Sequence, residues 1–139
     1  MAARLDDDEL RLVVQRVARR IRNNRQDEGM SDSQLGVLFR LERGGDASPS
    51  ALADHERVSP PSMNRTLNGL EGRGLVRREP SADDARKVVV SITDAGRELI
   101  RETRRLRTAW FSRQVSALSR EERAALEAVV PILRRIADA

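Results

Sequence analysis

The sequence contains no cysteine, which excludes disulfides, cysteine-ligated zinc, iron–sulfur clusters and thiol redox chemistry in this chain. Its one histidine, His55, would have to share any metal site with carboxylates alone. The chain also lacks a glycine-rich phosphate loop and the spacings typical of metal ligands. Catalysis needs a nucleophile or a base with partners, and few candidates remain. We therefore expect neither an enzyme nor a bound cofactor.

Long hydrophobic runs are absent as well. No apolar segment approaches the roughly 20 residues that a membrane-spanning helix needs. The first ten residues, MAARLDDDEL, lack the apolar core of a signal peptide, and their acidic cluster does not suit a transit peptide. These features favour a cytoplasmic protein without a membrane partner. With 139 residues, 39% hydrophobic and 35% charged, the chain fits one compact, helix-rich domain.

Aromatic residues and lysine are both scarce. There is no tyrosine, one tryptophan and two phenylalanines, so a pocket built on ring stacking would be poorly supplied. The net charge is +4, and of 26 basic residues only Lys87 is a lysine. Arginine makes two-point contacts with phosphate and guanine that lysine does not make. Codon preference is the simpler explanation of this ratio, so the charge permits a nucleic-acid partner without requiring one.

Both ends of the chain show helical periodicity. Apolar residues at three- and four-residue spacing predict a helix over residues 6–27, which Gly29 would end. Ser119 and Glu122 form a capping-box pattern for a last helix that reaches about residue 137. Pro131 lies inside that helix, where it should remove a hydrogen bond and produce a kink.

The apolar stripes of these terminal helices exceed what a small lobe can cover. We therefore predict a homodimer formed through both ends of the chain. Trp110 and Phe111 are expected to pack within a long helix or at the same interface rather than to bind a ligand. The predicted dimerisation residues are Leu10, Val14, Val17, Leu126, Val129, Leu133 and Ile136.

The middle of the chain begins with two helices. Ser31 is a candidate N-cap for the first of them, whose apolar residues are Leu35, Leu38, Phe39 and Leu41. Ser48 is the candidate cap of a short second helix with Pro49 at its first position and with Leu52 and Ala53 facing inward.

The stretch SPPSMNRTLNGLEGRGLVRRE follows, over residues 59–79. Ser59 is a good N-cap, and Pro60 and Pro61 fit the first two helical positions, where a missing N–H costs nothing. Gly74 is the expected end of this helix. The buried stripe consists of Met63, Leu67 and Leu70, and the polar first turn offers Ser62, Asn64 and Arg65. Free N–H groups and the helix dipole at this end would favour a phosphate.

Two short strands are predicted at about residues 75–79 and 88–92, joined by a polar hairpin loop. Arg77 and Arg78 should point to opposite faces of the first strand, so at most one would contact phosphate. Thr93 is the candidate cap of a long helix that reaches about residue 115. The order over residues 31–93 is that of a winged helix-turn-helix, so the predicted fold is mainly α with a small β-hairpin wing. In this arrangement the second helix of the pair enters the major groove of DNA.

Double-stranded DNA is therefore the predicted partner. Periodicity alone leaves a plain alternative, because the polar face of a helix is usually only solvated. Arg86 has two interpretations: it contacts the minor groove, or it braces the wing through Asp84. The predicted DNA-binding residues are Ser48, Ser59, Pro60, Pro61, Ser62, Asn64, Arg65, Arg78, Arg86 and Lys87.

Two motifs identify a family resemblance. The pattern L-E-x-x-G-L-V-x-R begins at Leu70, and D-x-R at residues 84–86 is followed by Ile92, Thr93 and Gly96. With the flanking helices, these motifs make nearly the whole chain resemble MarR-type transcriptional regulators. Two positions depart from the family pattern. Many members have, in place of Asn68, an acid that joins a network with the wing arginine, and many have a larger residue in place of Gly69.

The resemblance implies an obligate homodimer whose first and last helices, residues 1–28 and 94–139, interlock. It implies binding of a palindromic operator, usually as a repressor, and a pocket for a small aromatic or anionic effector. Arg19 or Arg20 could pair with a carboxylate of such an effector. The alternative is a winged helix that serves as a protein–protein interaction module without operator specificity.

Overall fold

The computed structural model of the protein describes residues 4–25 and 29–139. Within these ranges, six helices and one antiparallel hairpin confirm the predicted mainly helical fold. The elements in chain order are α1 (Asp7–Arg22), α2 (Asp32–Gly44), α3 (Pro49–Glu56), α4 (Pro60–Gly72), β1 (Val76–Pro80), β2 (Val88–Ile92), α5 (Asp94–Ser116) and α6 (Arg120–Ala137).

Helix α1 ends earlier than the sequence predicts. The side chain of Asp6 caps its start, but the helix stops at Arg22 instead of near residue 27, which lies outside the described residues. Asn23 occupies the C-cap, and the amide of Asn24 donates to the carbonyl oxygen of Arg20 at 2.7 Å. An asparagine side chain that binds a carbonyl of the last turn competes with continuation of the helix. The predicted stop at Gly29 was therefore wrong, and Gly29 lies in the turn before α2.

The N-caps of the central helices are confirmed. The hydroxyl oxygens of Ser31, Ser48 and Ser59 accept N–H bonds in the first turns of α2, α3 and α4. At α2 the cap is a complete capping box, because Gln34 also accepts from the N–H of Ser31 at 3.0 Å. Prolines occupy the first positions of α3 and α4, as predicted.

Gly74 ends α4, as predicted, through a two-bond turn. Its φ is +73°, the left-handed region that glycine enters without steric cost. Its N–H donates to the carbonyl of Glu71 at 2.9 Å, and the N–H of Leu75 donates to the carbonyl of Leu70 at 3.0 Å. This pair of bonds defines a Schellman motif, which turns the chain from the helix directly into β1.

The hairpin pairs β1 with β2 in a register that runs from Val76 opposite Ile92 to Pro80 opposite Val88. The first strand begins one residue later than predicted, because Leu75 belongs to the Schellman turn. No sequence pattern indicated a third segment beside the hairpin. Ala47, in the loop between α2 and α3, exchanges two backbone hydrogen bonds with Val90, at 3.1 and 2.8 Å.

The core lies between α2, α3, α4, the hairpin and the start of α5. Its completely buried side chains include the predicted stripe of α4 and several inward residues of α2. They are Val37, Leu38, Leu41, Leu52, Met63, Leu67, Leu70, Val76, Val90 and Ile100. By contrast, neither α1 nor α6, both described in full, contains a buried residue.

The two C-terminal helices follow the predicted caps. Thr93 caps α5, and Ser119 with Glu122 forms the capping box of α6. Helix α6 continues through Pro131 to Ala137. No helix in the described ranges is long and apolar enough to cross a membrane.

Candidate nucleic-acid interface

The first turn of α4 holds Arg65 in place through two serines. The hydroxyl of Ser59 donates to the Oγ of Ser62 at 3.1 Å, and Nη2 of Arg65 donates to the same oxygen at 3.1 Å. Pro60, Pro61 and Arg65 are all exposed. The polar turn that the sequence singled out is therefore an ordered, solvent-facing surface.

The expectation of several free N–H groups at this helix end was wrong. Pro60 and Pro61 carry no N–H, and the N–H of Ser62 is bound by the Oγ of Ser59 at 3.3 Å. The N–H of Met63 already donates to the carbonyl of Ser59 at 3.0 Å. Side chains, rather than backbone donors of these positions, must therefore supply the contacts to an anion.

A groove of about 330 Å³ separates α4 from the wing. Asn64 of α4 and Pro49 of α3 line one side of it, and Ala85 and Val88 of the wing line the other. Ser48, which precedes Pro49 in the chain, is half-buried, and its Oγ accepts the N–H of Ala51. The fold thus brings the start of α3, the polar face of α4 and the wing to one surface.

The tip of the wing is organised by Asp84. One carboxylate oxygen accepts the backbone N–H of Arg86 at 3.0 Å and its Nε at 3.2 Å. Both bonds hold the pKa of the Asp84 carboxyl below its usual value, and the backbone bond has the larger effect. The pairing of Arg86 with Asp84 is confirmed, and it leaves the Arg86 side chain 91% exposed. Lys87 is exposed beside it.

Arg77 and Arg78 differ in environment, as the alternation of strand residues predicts. Arg77 is exposed and lies 3.9 Å from Glu79. Arg78 is only 24% exposed, and its Nη2 and Nε donate to the two carboxylate oxygens of Glu71 at 3.0 and 3.4 Å. Its Nη2 also donates to Oδ1 of Asn68. The hydrogen bond from Arg78 lowers the pKa of the Glu71 carboxyl.

Arg78 was expected to contact DNA, but the structure places it in this intramolecular network. Asn68 accepts a hydrogen bond from this same Arg78 and not from the wing-tip Arg86, the arginine that the family pattern pairs with this position. No local sequence pattern indicates these contacts, since they join a helix to a strand across the Schellman turn.

Away from this surface, the seven predicted dimerisation residues are all exposed on α1 and α6. Further exposed apolar residues on these helices, outside the predicted dimerisation set, are Leu12, Val13, Val130 and Ile132. A groove of about 440 Å³ lies between α1, α5 and α6. Trp110 and Phe111 line it together with Arg19 and Arg20, and the Arg20 guanidinium lies 5.4 Å from the Trp110 ring centre.

Nothing in the described residues resembles a metal centre. Over residues 4–25 and 29–139, no three histidine, cysteine or carboxylate side chains gather at one point. His55 is exposed, with Nδ1 3.3 Å from Oε1 of Glu56.

The fold and this surface define a winged helix-turn-helix protein of the DNA-binding class. The sequence profile of the MarR family matches residues 28–87. An HTH-type transcriptional regulator of Mycobacterium tuberculosis is 38% identical over 136 residues, which cover 98% of this chain and 94% of the relative. The HTH-type transcriptional repressor MdtR of Bacillus subtilis is 27% identical, with 81% of this chain and 73% of MdtR covered.

Solved structures agree with the sequence relatives. A crystal structure from Pseudomonas aeruginosa, of a protein assigned to transcriptional regulation, has a TM-score of 0.84 and 37% identity, covering 95% of this chain and 94% of its own. The chain therefore belongs to the MarR family of winged helix-turn-helix transcriptional regulators. Proteins of this family regulate transcription and are not enzymes.

Proposed function

We propose that this protein is a ligand-responsive repressor that binds a palindromic operator as a homodimer. The observation that carries the proposal is the shared surface of α4 and the wing. Asn64 and the wing residues Ala85 and Val88 border one groove, with the exposed Arg65 beside it on α4. An α-helix fits the major groove of DNA, so α4 would enter it while the wing follows the flanking backbone.

The proposed DNA contacts fall into two groups. Asn64 and Arg65 would contact base edges, since an amide matches adenine and a guanidinium matches guanine in the major groove. Arg86 and Lys87 at the wing tip would contact the flanking groove or phosphates, which contributes affinity but little sequence information. The remaining proposed contacts lie at the starts of α3 and α4: Ser48, Ser59, Pro60, Pro61 and Ser62.

The homodimer rests on the uncovered apolar faces of α1 and α6. Val129 and Leu133 are 36% and 39% exposed, although they lie mid-helix on the apolar stripe of α6. A monomeric soluble protein rarely leaves so large an apolar patch in water. A second copy of the chain would cover it, so we assign residues 1–28 and 94–139 to dimerisation and residues 31–93 to DNA binding.

The form of the operator follows from the dimer. Two identical lobes related by a two-fold axis would contact two identical half-sites, which together form an inverted repeat. Repression is proposed by analogy with the MdtR repressor. With DNA as its partner, we also propose a cytoplasmic location for the protein.

For the effector we propose a small aromatic or anionic molecule. Trp110 was expected to pack rather than to bind a ligand, but it lines the groove between α1, α5 and α6, so we propose that its ring stacks on the effector. The Arg19 and Arg20 guanidinium groups of the same groove would bind a carboxylate. Leu126 of α6 lines the same groove, so a partner docked on α1 and α6 would close its open side. Binding there would couple ligand to the geometry of the dimer.

The alternative of a protein–protein module predicts no preference among DNA sequences. Selection of duplexes from a randomised library by the purified protein separates the two functions. We expect an enriched inverted repeat that binds at least about a thousandfold more tightly than a scrambled duplex of the same composition. Equal affinity for the two duplexes, or no enriched sequence at all, would contradict the operator proposal.

A further inference from the structure

We propose that Arg78 is a positioning residue, which fixes the wing against α4 through Glu71 and Asn68 and thereby sets sequence discrimination without touching DNA. The inference rests on the proposed function, since it concerns how α4 and the wing act on one operator. It gives Arg78 a different role from the phosphate contact that its sequence position suggested.

The Arg78 guanidinium is occupied by several bonds within the chain. Nη2 and Nε donate to both carboxylate oxygens of Glu71, and Nη2 also reaches Asn68. The side chain is 24% exposed, against 65% for its neighbour Arg77 and 91% for Arg86. Its charge is compensated by Glu71 within the chain, so little remains for a phosphate.

Both partners of Arg78 lie on the face of α4 that borders the groove. Asn64, Asn68 and Glu71 are spaced at i, i+4 and i+7 and therefore lie on one face of α4. Asn64 and Arg78 line the same groove. The Arg78 network thus holds the helical face that carries a proposed base-contacting residue.

The strand that carries Arg78 is itself held against the core. Arg78 lies opposite Val90 in the hairpin, and Val90 is completely buried and also bonded to Ala47 on its other side. This part of the wing is therefore fixed to the core. The Schellman turn connects α4 to β1 through the chain itself, and the Arg78 network adds noncovalent bonds between the two elements further along the strand. With both, the wing tip keeps a defined distance from α4.

The test uses duplexes selected by the wild-type protein and scrambled duplexes of equal composition. Discrimination is the affinity for the selected duplex divided by the affinity for the scrambled duplex. We expect Arg78→Gln, Glu71→Gln and the double variant to lower this ratio by a similar factor, about tenfold. Such non-additivity is the result expected for two residues that act through one shared ion pair. Two independent losses that multiply in the double variant would overturn the inference.

Two further readouts distinguish positioning from a phosphate contact. A lost phosphate contact would reduce the slope of log affinity against log salt by about 0.9, whereas we expect Arg78→Gln to leave the slope unchanged. Arg78→Lys keeps the charge but cannot bond Glu71 and Asn68 in the same planar geometry. We expect it to lose discrimination like Arg78→Gln. Full discrimination in Arg78→Lys, or a reduced slope in Arg78→Gln, would overturn the inference.

Arg77→Gln is the matched control, because it removes an equal charge from the adjacent strand position and should leave discrimination unchanged. Exchange of the two charges, Glu71→Arg together with Arg78→Glu, should recover part of the discrimination that either change alone removes. A double variant that discriminates no better than the worse of the two single variants would contradict a positioning role. Thermal melts of every variant ensure that only folded proteins are compared.

Asn68→Ala keeps the ion pair between Arg78 and Glu71, so it should lose less discrimination than Arg78→Gln. A loss equal to or larger than that of Arg78→Gln would oppose the proposal. A wild-type protein that selects no duplex would instead refute the proposed function itself.

Discussion

Arg104 of α5 and Glu42 of α2 form a two-point ion pair across the boundary between the DNA-binding lobe and the long C-terminal segment. Nη2 lies 2.6 Å from one carboxylate oxygen of Glu42, and Nη1 lies 3.3 Å from the other. This hydrogen bonding is the main reason that the pKa of Glu42 is lowered in the folded protein. The pair therefore stabilises the folded state while Glu42 is charged.

Replacement of Glu42 by Gln should lower the free energy of unfolding at pH 7 by about 0.5–1 kcal/mol, a small effect because both partners are partly exposed. Since folding lowers this pKa, the contribution is present above the unfolded value of 4.5 and is lost as the pH falls below it. Urea unfolding at pH 7 and pH 4 measures the difference. Glu102→Gln, which breaks an ion pair within one helix, should have a smaller effect. If the difference in unfolding free energy between the wild type and Glu42→Gln were larger at pH 4 than at pH 7, the ion pair would not be its cause.

Features fixed by local chemistry were predictable from the sequence. The N-caps Ser31, Ser48 and Ser59 and the helix stop at Gly74 all matched, because each depends on residues within about one turn of the chain. The end of α1 was missed because Asn24 uses its side chain to bind a helix carbonyl.

Contacts between elements were not predictable in the same way. The arginines are so numerous that their charge alone cannot say which of them pairs within the chain. Arg78 and Arg86 were both predicted to bind DNA, yet Arg78 is bonded to α4, and Arg86 is bonded to Asp84 of its own loop. The Ala47–Val90 bridge likewise joins residues 43 positions apart, and periodicity within a segment cannot indicate it.

Gly96, in the first turn of α5, should not tolerate a side chain. A Cβ at this position would collide with the carbonyl oxygen of Leu75 and lie 2.7 Å from Cγ1 of Ile92. Gly96→Ala should therefore cost about 1–3 kcal/mol of unfolding free energy, as overpacking does. The matched control is Gly72→Ala in α4, where an added Cβ would meet nothing within 4 Å. This change should raise the free energy of unfolding by up to about 0.5 kcal/mol. Equal effects of the two changes in urea unfolding would refute the close approach.

Leu133→Glu should convert the proposed dimer into a monomer, because it places a charge in the apolar face of α6. Sedimentation at micromolar concentration measures the change. Val88→Glu is the control, since Val88 is also exposed, at 42%, but lies in the wing. A wild-type protein that sediments as a monomer, or a Leu133→Glu variant that stays dimeric, would contradict the assignment of this face.

The proposed operator should contain half-sites about 10 bp apart, centre to centre, or a multiple of this distance, because two lobes of one dimer must lie on the same side of the duplex. Footprinting on the selected duplex measures the spacing, and insertion of about 5 bp between the half-sites should abolish tight binding. Affinity should also fall steeply with salt, because each phosphate contacted adds about 0.9 to the negative slope of log affinity against log salt concentration. Unchanged binding to the duplex with the insertion would argue against a two-fold dimer on DNA.

Arg65 and Lys87 should differ in what they contribute to DNA binding. The bond to Ser62 holds the Arg65 guanidinium at the start of α4, where it can contact O6 and N7 of guanine. Arg65→Ala should then cost about 1–3 kcal/mol on the selected operator and relax its sequence preference. Lys87→Ala removes an exposed wing charge, so it should weaken binding to all duplexes alike and reduce the salt slope by about one. Competition binding with selected and scrambled duplexes measures both effects. If Arg65→Ala weakens the two duplexes equally, Arg65 binds the backbone, and the first turn of α4 does not contact base edges through this side chain.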